Sequence, residues 1–270
     1  MNCRTKPRAW ALALTMMVIA GASAPTSLGA GEVIQVLVLV DEEEATNPRT
    51  WQPRLAQRIE RASQILSRYT RVKLKVHSFG TWKSTNHVQE FSASLREFEK
   101  RVDPGAAHLA IGFSSQYKFQ RGRSHLGGTR GPLRKHILIR ENAPSVLEPE
   151  RVEVLVHELG HFFGAAHSTS ENSVMRPVVG DGRARSRAFE VGFDPENAQI
   201  LRLIGNEVRT KNVRRFQELS PQTLKKLKPH YQALARENKK DVTADQFLFM
   251  VDLLLDAHQR GRLPTQPPRN

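Results

Sequence analysis

Cysteine is all but missing from this chain of 270 residues: the single one, Cys3, precedes an apolar run that starts at Ala9. Beyond that run no disulfide, Cys-ligated metal site or thiol nucleophile is possible. Stability must come from an ordinary apolar core and chemistry from other side chains. Acidic residues are also few, 27 against 41 Lys and Arg, which leaves a formal charge of +14 and favours anionic partners without naming one. Aromatic residues make up only 7%, and no basic groove interleaved with aromatics accompanies the charge, which argues against nucleic acid. No internal repeat is present, and the one long hydrophobic run is residues 9–24. A hydrophobic content of 39% excludes a disordered or fibrous chain.

Residues 1–30 have the layout of a secretory signal peptide. Arg4, Lys6 and Arg8 precede the apolar run, and Ala20, Ala22, Ala24 and Ala30 offer small-residue cleavage points. The run is short and rich in small residues for a membrane span; an uncleaved N-terminal anchor is the alternative. Removing 1–30 takes three basic and no acidic side chains off the formal +14, leaving +11, so the basic character belongs to the folded part. The expected location is secreted or periplasmic, with no membrane span after signal removal.

Past residue 30, strand and helix signals alternate. Residues 33–40 (VIQVLVLV) form a continuous β-branched apolar run suited to a strand covered on both faces. Over 53–69, Leu55, Ile59, Ala62, Leu66 and Tyr69 recur at helical spacing, which predicts a helix with Pro53 in its first turn. Residues 72–79 alternate as a strand. Val88, Phe91, Leu95, Phe98 and Val102 mark a second amphipathic helix, ended by Pro104 and Gly105. Strands are predicted at 108–114 and 136–140. Between them, 117–134 is rich in Gly and Arg and reads as a loop, with a short extended piece, Leu126, Gly127, Gly128 and Thr129, that forms an edge strand or a glycine turn. A third helix is predicted from Pro149, burying Val152, Leu155, Val156, Leu159 and Phe162 and stopping at Gly164, where glycine can take the left-handed cap. This order indicates an α/β sandwich built on a mixed sheet.

The third helix carries the most informative residues. His157 and His161 are four apart, so both imidazoles project from one helical face and can reach a single Zn²⁺ at roughly 2.0–2.1 Å. Gly164 lets the chain leave the helix sharply, so that His167 returns as a third nitrogen ligand and a fourth position is left for water. Glu158 directly follows the first ligand and can take a proton from the zinc-bound water, handing it later to the leaving amine. The pattern HExxHxxGxxH fixes five positions, and a chance match in this chain is of order 10⁻⁴. A purely structural zinc site has no need of a buried glutamate beside its ligands.

The segment from His157 to His167 resembles the zinc-binding signature of the metzincin metallopeptidases. Met175, in Ser173-Val174-Met175-Arg176-Pro177, stands where that clan places a methionine turn under the metal. Ser168 and the short distance to Met175 resemble the matrixin branch, as does residues 194–205 (DPENAQILRLIG) as a final catalytic-domain helix. The helix at 88–102 is closer to the reprolysin arrangement, and Arg176 stands where matrixins usually have tyrosine. The resemblance implies an α+β zincin-like fold, with a mixed twisted sheet, an active-site helix and a small lower subdomain after the third histidine. It implies one catalytic zinc and a protein or peptide substrate that pairs with the edge strand 126–129. The basic cluster Arg183, Arg185 and Arg187 falls where the clan builds the wall of its S1′ pocket, although a solvated loop is the simpler reading. No calcium loop is indicated.

Four segments are therefore expected: a signal peptide at 1–30, a catalytic domain at 31–205, a C-terminal helical extension at 206–263 and a disordered tail at 264–270. The extension reads as a helical hairpin. Ser220 and Pro221 open one helix with Leu224, Leu227, Tyr231 and Leu234 on one face, and a second starts near Thr243 and buries Phe247, Val251 and Leu254. Residues 206–270 hold 13 basic and 7 acidic side chains, a face that either docks on the catalytic unit or holds an anionic surface polymer. The remaining histidines, at 77, 87, 108, 125, 136, 230 and 258, show no ligand spacing. The sequence thus predicts an exported, monomeric zinc endopeptidase; the alternative is a zinc-stabilised binding or adhesion module for anionic envelope polymers, which would not need Glu158.

Overall fold

The computed structural model describes residues 33–44, 47–88, 90–116, 126–141 and 145–261. The signal-like segment 1–30, including Cys3, together with His125 and the tail from residue 264, lies outside them. Five strands form one sheet: β1 (Val33–Asp41), β2 (Lys73–Trp82), β3 (Leu109–Ser114), β4 (Gly127–Thr129) and β5 (His136–Arg140), in the order β2-β1-β3-β5-β4. β1 runs parallel to β2 and β3, and β3 parallel to β5. The three-residue β4 is antiparallel to β5 and lies at the sheet edge. The helices are α1 (Pro48–Thr70), α2 (Phe91–Arg101), α3 (Glu148–Phe162), α4 (Pro195–Lys211), α5 (Pro221–Glu237) and α6 (Thr243–Gln259).

Strand side chains alternate between two cores, as a period of two requires. Ile34, Val36, Val38 and Val40 of β1 join Ile111, Phe113, Ile137 and Ile139 in the core shared with α1 and α3. Leu39, Ala110 and Leu138 face the opposite way, onto Leu95 and Phe98 of α2. The unbroken apolar run of β1 follows from helices covering both of its faces. Each such side chain contributes roughly 1.5–3 kcal/mol by leaving water. α2 packs closely on Gly112 of β3: a Cβ there would stand 2.7 Å from the Phe98 ring.

Three predicted boundaries move, each for a local reason. α1 starts at Pro48, not Pro53, because Asn47 caps it by accepting the Arg49 N–H. Pro53 therefore sits inside the helix, and the added turn buries Trp51. α2 starts at Phe91, leaving Val88 outside. α4 does not stop at Gly205 but continues to Lys211, where Asn212 takes the left-handed cap at φ 53°. Gly205 serves packing instead: a Cβ there would stand 2.5 Å from the Thr70 carbonyl at the end of α1.

α5 and α6 form the predicted hairpin and pack on the rest of the molecule. Leu224, Leu227, Tyr231, Leu234, Phe247, Val251 and Leu254 join the same core as the sheet, α1 and α3. Among the described residues no helix is long and apolar enough to cross a membrane.

Candidate metal centre

α3 is buried along most of its length, and its residues up to Phe162 set the site. Pro149 lies in its first turn and the Glu150 carboxylate accepts the Leu147 N–H, which fixes the start of the helix. At the other end Gly164 sits at φ +85°, where an L side chain is strained; a Cβ there would also stand 2.5 Å from Ile204 Cδ1. The chain turns back at this point. Asn197 of α4 then holds Ala166 from both sides, accepting its N–H at 2.9 Å and donating to its carbonyl at 2.9 Å. His167 is delivered to the face of α3 by these two constraints.

The three imidazoles converge. His161 Nε2 lies 3.1 Å from His157 Nε2 and 3.2 Å from His167 Nε2. Nitrogens each about 2.0–2.1 Å from one ion at tetrahedral angles stand roughly 3.3–3.4 Å apart, so the spacing suits one Zn²⁺. The outward nitrogens settle the tautomers. His157 Nδ1 donates to the Val174 carbonyl at 2.7 Å, His161 Nδ1 to the Ala165 carbonyl at 2.8 Å, and His167 Nδ1 to the Asp241 carboxylate at 2.7 Å. Each of these partners only accepts, so every Nδ1 carries the proton and every Nε2 turns a lone pair inward. Burial, with the neighbouring His167 ring and Arg176, lowers His157 to about 3, and burial with the other two rings holds His161 well below its ordinary value. Both rings are therefore neutral at physiological pH, the state in which an imidazole can hold a metal. Among the described residues this is the one group of three or more His, Cys, Asp or Glu side chains placed to hold a metal ion.

Glu158 is buried beside His157, and burial alone pushes its carboxyl up to about 8. β4 passes directly over it: a Cβ on Gly127 would stand 2.7 Å from Glu158 Cγ and 2.9 Å from its Oε1. The extended piece at 126–129 thus forms a strand, and that strand borders the metal centre. Leu126 stands just ahead of it, and its carbonyl accepts the N–H of Arg140 at the end of β5 at 2.8 Å.

Met175 is fully buried beneath α3, where its Sδ would lie 2.7 Å from a Cβ on Gly160. Ser168 N–H donates to the Met175 carbonyl at 2.9 Å, which ties the methionine turn to the residue after the third histidine. Arg176 is buried against Glu153 of α3 at 2.6 Å and Asp181 at 3.0 Å, and stacks over Phe189. Of the basic cluster after the turn, Arg185 pairs with the buried Glu150 at 2.6 Å and Arg183 reaches Glu171 and Asp181, so both brace the loop.

Three contacts were not expected from the sequence: Gly160 leaves room for the methionine, Arg176 is buried in an ion pair with Glu153, and Asp241 reaches His167 from the loop between α5 and α6. The first has a signal in the glycine just before the second histidine of HELGH. The last has no local signal, since 74 positions separate the partners.

No curated protein matches this chain. Among solved structures, archaemetzincin from Methanopyrus kandleri is similar at 18% identity, with a TM-score of 0.47, over 65% of this chain and 97% of that one. The reprolysin-type family model described as metallo-peptidase family M12 matches residues 30–201, which include the convergent histidines, Glu158 and Met175. That match spans more than half of the chain, and the protein belongs to this family of zinc metallopeptidases.

Proposed function

We propose that the protein is an exported endopeptidase that cleaves internal peptide bonds, with Glu158 as general base and then general acid. The observation that carries this reading is that the helix supplying two of the three convergent Nε2 lone pairs also buries Glu158 against the edge strand β4. His157, His161 and His167 would hold one Zn²⁺, which would supply Lewis-acid chemistry at the scissile carbonyl and the attacking water. Glu158 accepts the proton of that water and returns it to the departing amine. Its buried carboxyl has the raised proton affinity that a transient proton carrier needs, and the charge of a bound cation draws it back toward ionisation. The free side of β4 offers its backbone N–H and C=O groups to an extended peptide, which would then lie across Glu158. Met175 gives the histidines an apolar floor, and Ser168 sets its distance from the third ligand, the matrixin-like feature of the site.

The test is digestion of an unfolded protein by the zinc-loaded enzyme, followed by mass spectrometry of the products. Internal fragments from the earliest times, abolished by a chelator and restored by zinc, are expected. Stepwise loss of single terminal residues would contradict the endopeptidase reading, and absence of any zinc-dependent product would favour the binding module.

A further inference from the structure

The C-terminal hairpin does more than cover the core, because its interhelical loop reaches the metal centre. Asp241 Oδ2 accepts the His167 Nδ1–H at 2.7 Å, while its Oδ1 accepts the Thr243 N–H at 2.9 Å at the start of α6. Its own N–H donates to the Asn238 carbonyl at 3.1 Å, so the residue is anchored at its backbone and at Oδ1 while Oδ2 meets the imidazole. Thr243 Oγ1 lies 3.4 Å from the same nitrogen. A second contact braces the turn ahead of His167: the buried Tyr231 hydroxyl of α5 donates to the Gly164 carbonyl at 2.8 Å. His157 and His161 are fixed by backbone carbonyls of their own neighbourhood, whereas His167 alone relies on a carboxylate from the extension. The family match ends at residue 201, well before Asp241.

We propose that Asp241 is a positioning residue for the third zinc ligand: it fixes the His167 tautomer and ring orientation, so that the hairpin completes the metal site. This rests on the reading of His167 as a zinc ligand. A carboxylate behind a ligating imidazole keeps the proton on the outer nitrogen and lends negative charge to the ring. Loss of such a partner typically costs 10–100-fold in metal affinity. Asp241→Asn is the informative change. Its amide oxygen can still accept the Thr243 N–H, which leaves the amide NH₂ facing His167 Nδ1. A donor at that place favours the tautomer with the proton on Nε2, the nitrogen that must face the metal.

The experiment measures the zinc dissociation constant of the full chain by chelator competition, the melting temperature of the metal-free protein, and the protonated ring nitrogen of His167 by ¹⁵N NMR. Asp241→Asn is compared with the parent, with His167→Ala, and with Val251→Ala, which loosens the fully buried face of α6 without touching His167. The expected result is about 10–100-fold weaker zinc binding in Asp241→Asn, with the metal-free melting temperature near that of the parent and the His167 proton moved from Nδ1 to Nε2. Val251→Ala is expected to melt lower yet bind zinc like the parent. Unchanged zinc affinity in Asp241→Asn overturns the proposal, and so does an equal loss in Val251→Ala. A parent that takes up no zinc, and in which His167→Ala changes nothing, overturns the ligand reading itself and the proposal with it.

Discussion

At the scale of single residues, the buried charge of Arg58 is closely paired. Arg58 is fully buried on α1 and donates to Glu141 at 2.7 and 3.1 Å and to Glu148 at 2.7 and 2.8 Å. Burial by itself would raise the Glu141 carboxyl, but the hydrogen bonds and charge of Arg58, with Arg151 and Arg54, hold it below its ordinary 4.5. A folded value below the unfolded one means stability that is fully present above the ordinary carboxylate range and lost as pH falls through the folded value. The urea midpoint is thus expected to drop as pH is lowered through and below the ordinary carboxylate range. Glu141→Gln should flatten that drop while lowering stability at neutral pH by about 3–5 kcal/mol, the cost of leaving Arg58 underpaired. Tyr231→Phe removes the donor to the Gly164 carbonyl and should cost about 1–3 kcal/mol in equilibrium unfolding.

At the scale of elements, β4 works through what it omits. Its two glycines face opposite layers: a Cβ on Gly127 meets Glu158 and Ile139, and one on Gly128 meets the Phe91 ring at 2.6 Å. Gly127→Ala is expected to lower kcat by about 10–100-fold by displacing the carboxylate, since a shift of about 1 Å can cost that much. Gly128→Ala should mainly lower the melting temperature. Equal effects of the two on kcat would contradict this assignment. Much of α3 was legible in the sequence, because the apolar period, the HExxH spacing and Gly164 all describe one helix and its exit. β1 and β5 were legible as β-branched runs. The starts of α1 and α2 were less so, because the cap at Asn47 outweighed Pro53, and Val88 continues a helical period that the chain does not follow. The ion pair of Arg176 with Glu153 and the reach of Asp241 to His167 were not legible. They are contacts made by the fold between distant segments, and neither residue differs locally from an ordinary solvated one.

At the scale of the whole molecule, the sheet, α1, α3, α4 and the hairpin share one continuous core. Removal of residues 212–270 would expose Ile200, Ile204 and Val208 on α4 and strip His167 of its carboxylate partner. The shortened chain is expected to lose cooperative unfolding as well as zinc binding, which calorimetry and metal analysis can read side by side. A shortened chain that melts sharply and keeps its zinc would show that the two parts are independent. The proposed chemistry depends on Glu158 at a metal site held by three histidines. It is tested by cleavage of an unfolded, unselective protein substrate by the zinc-loaded protein beside Glu158→Ala at equal metal content. Turnover is expected in the parent and is lost in the variant, with zinc still bound. Equal turnover in both would contradict it.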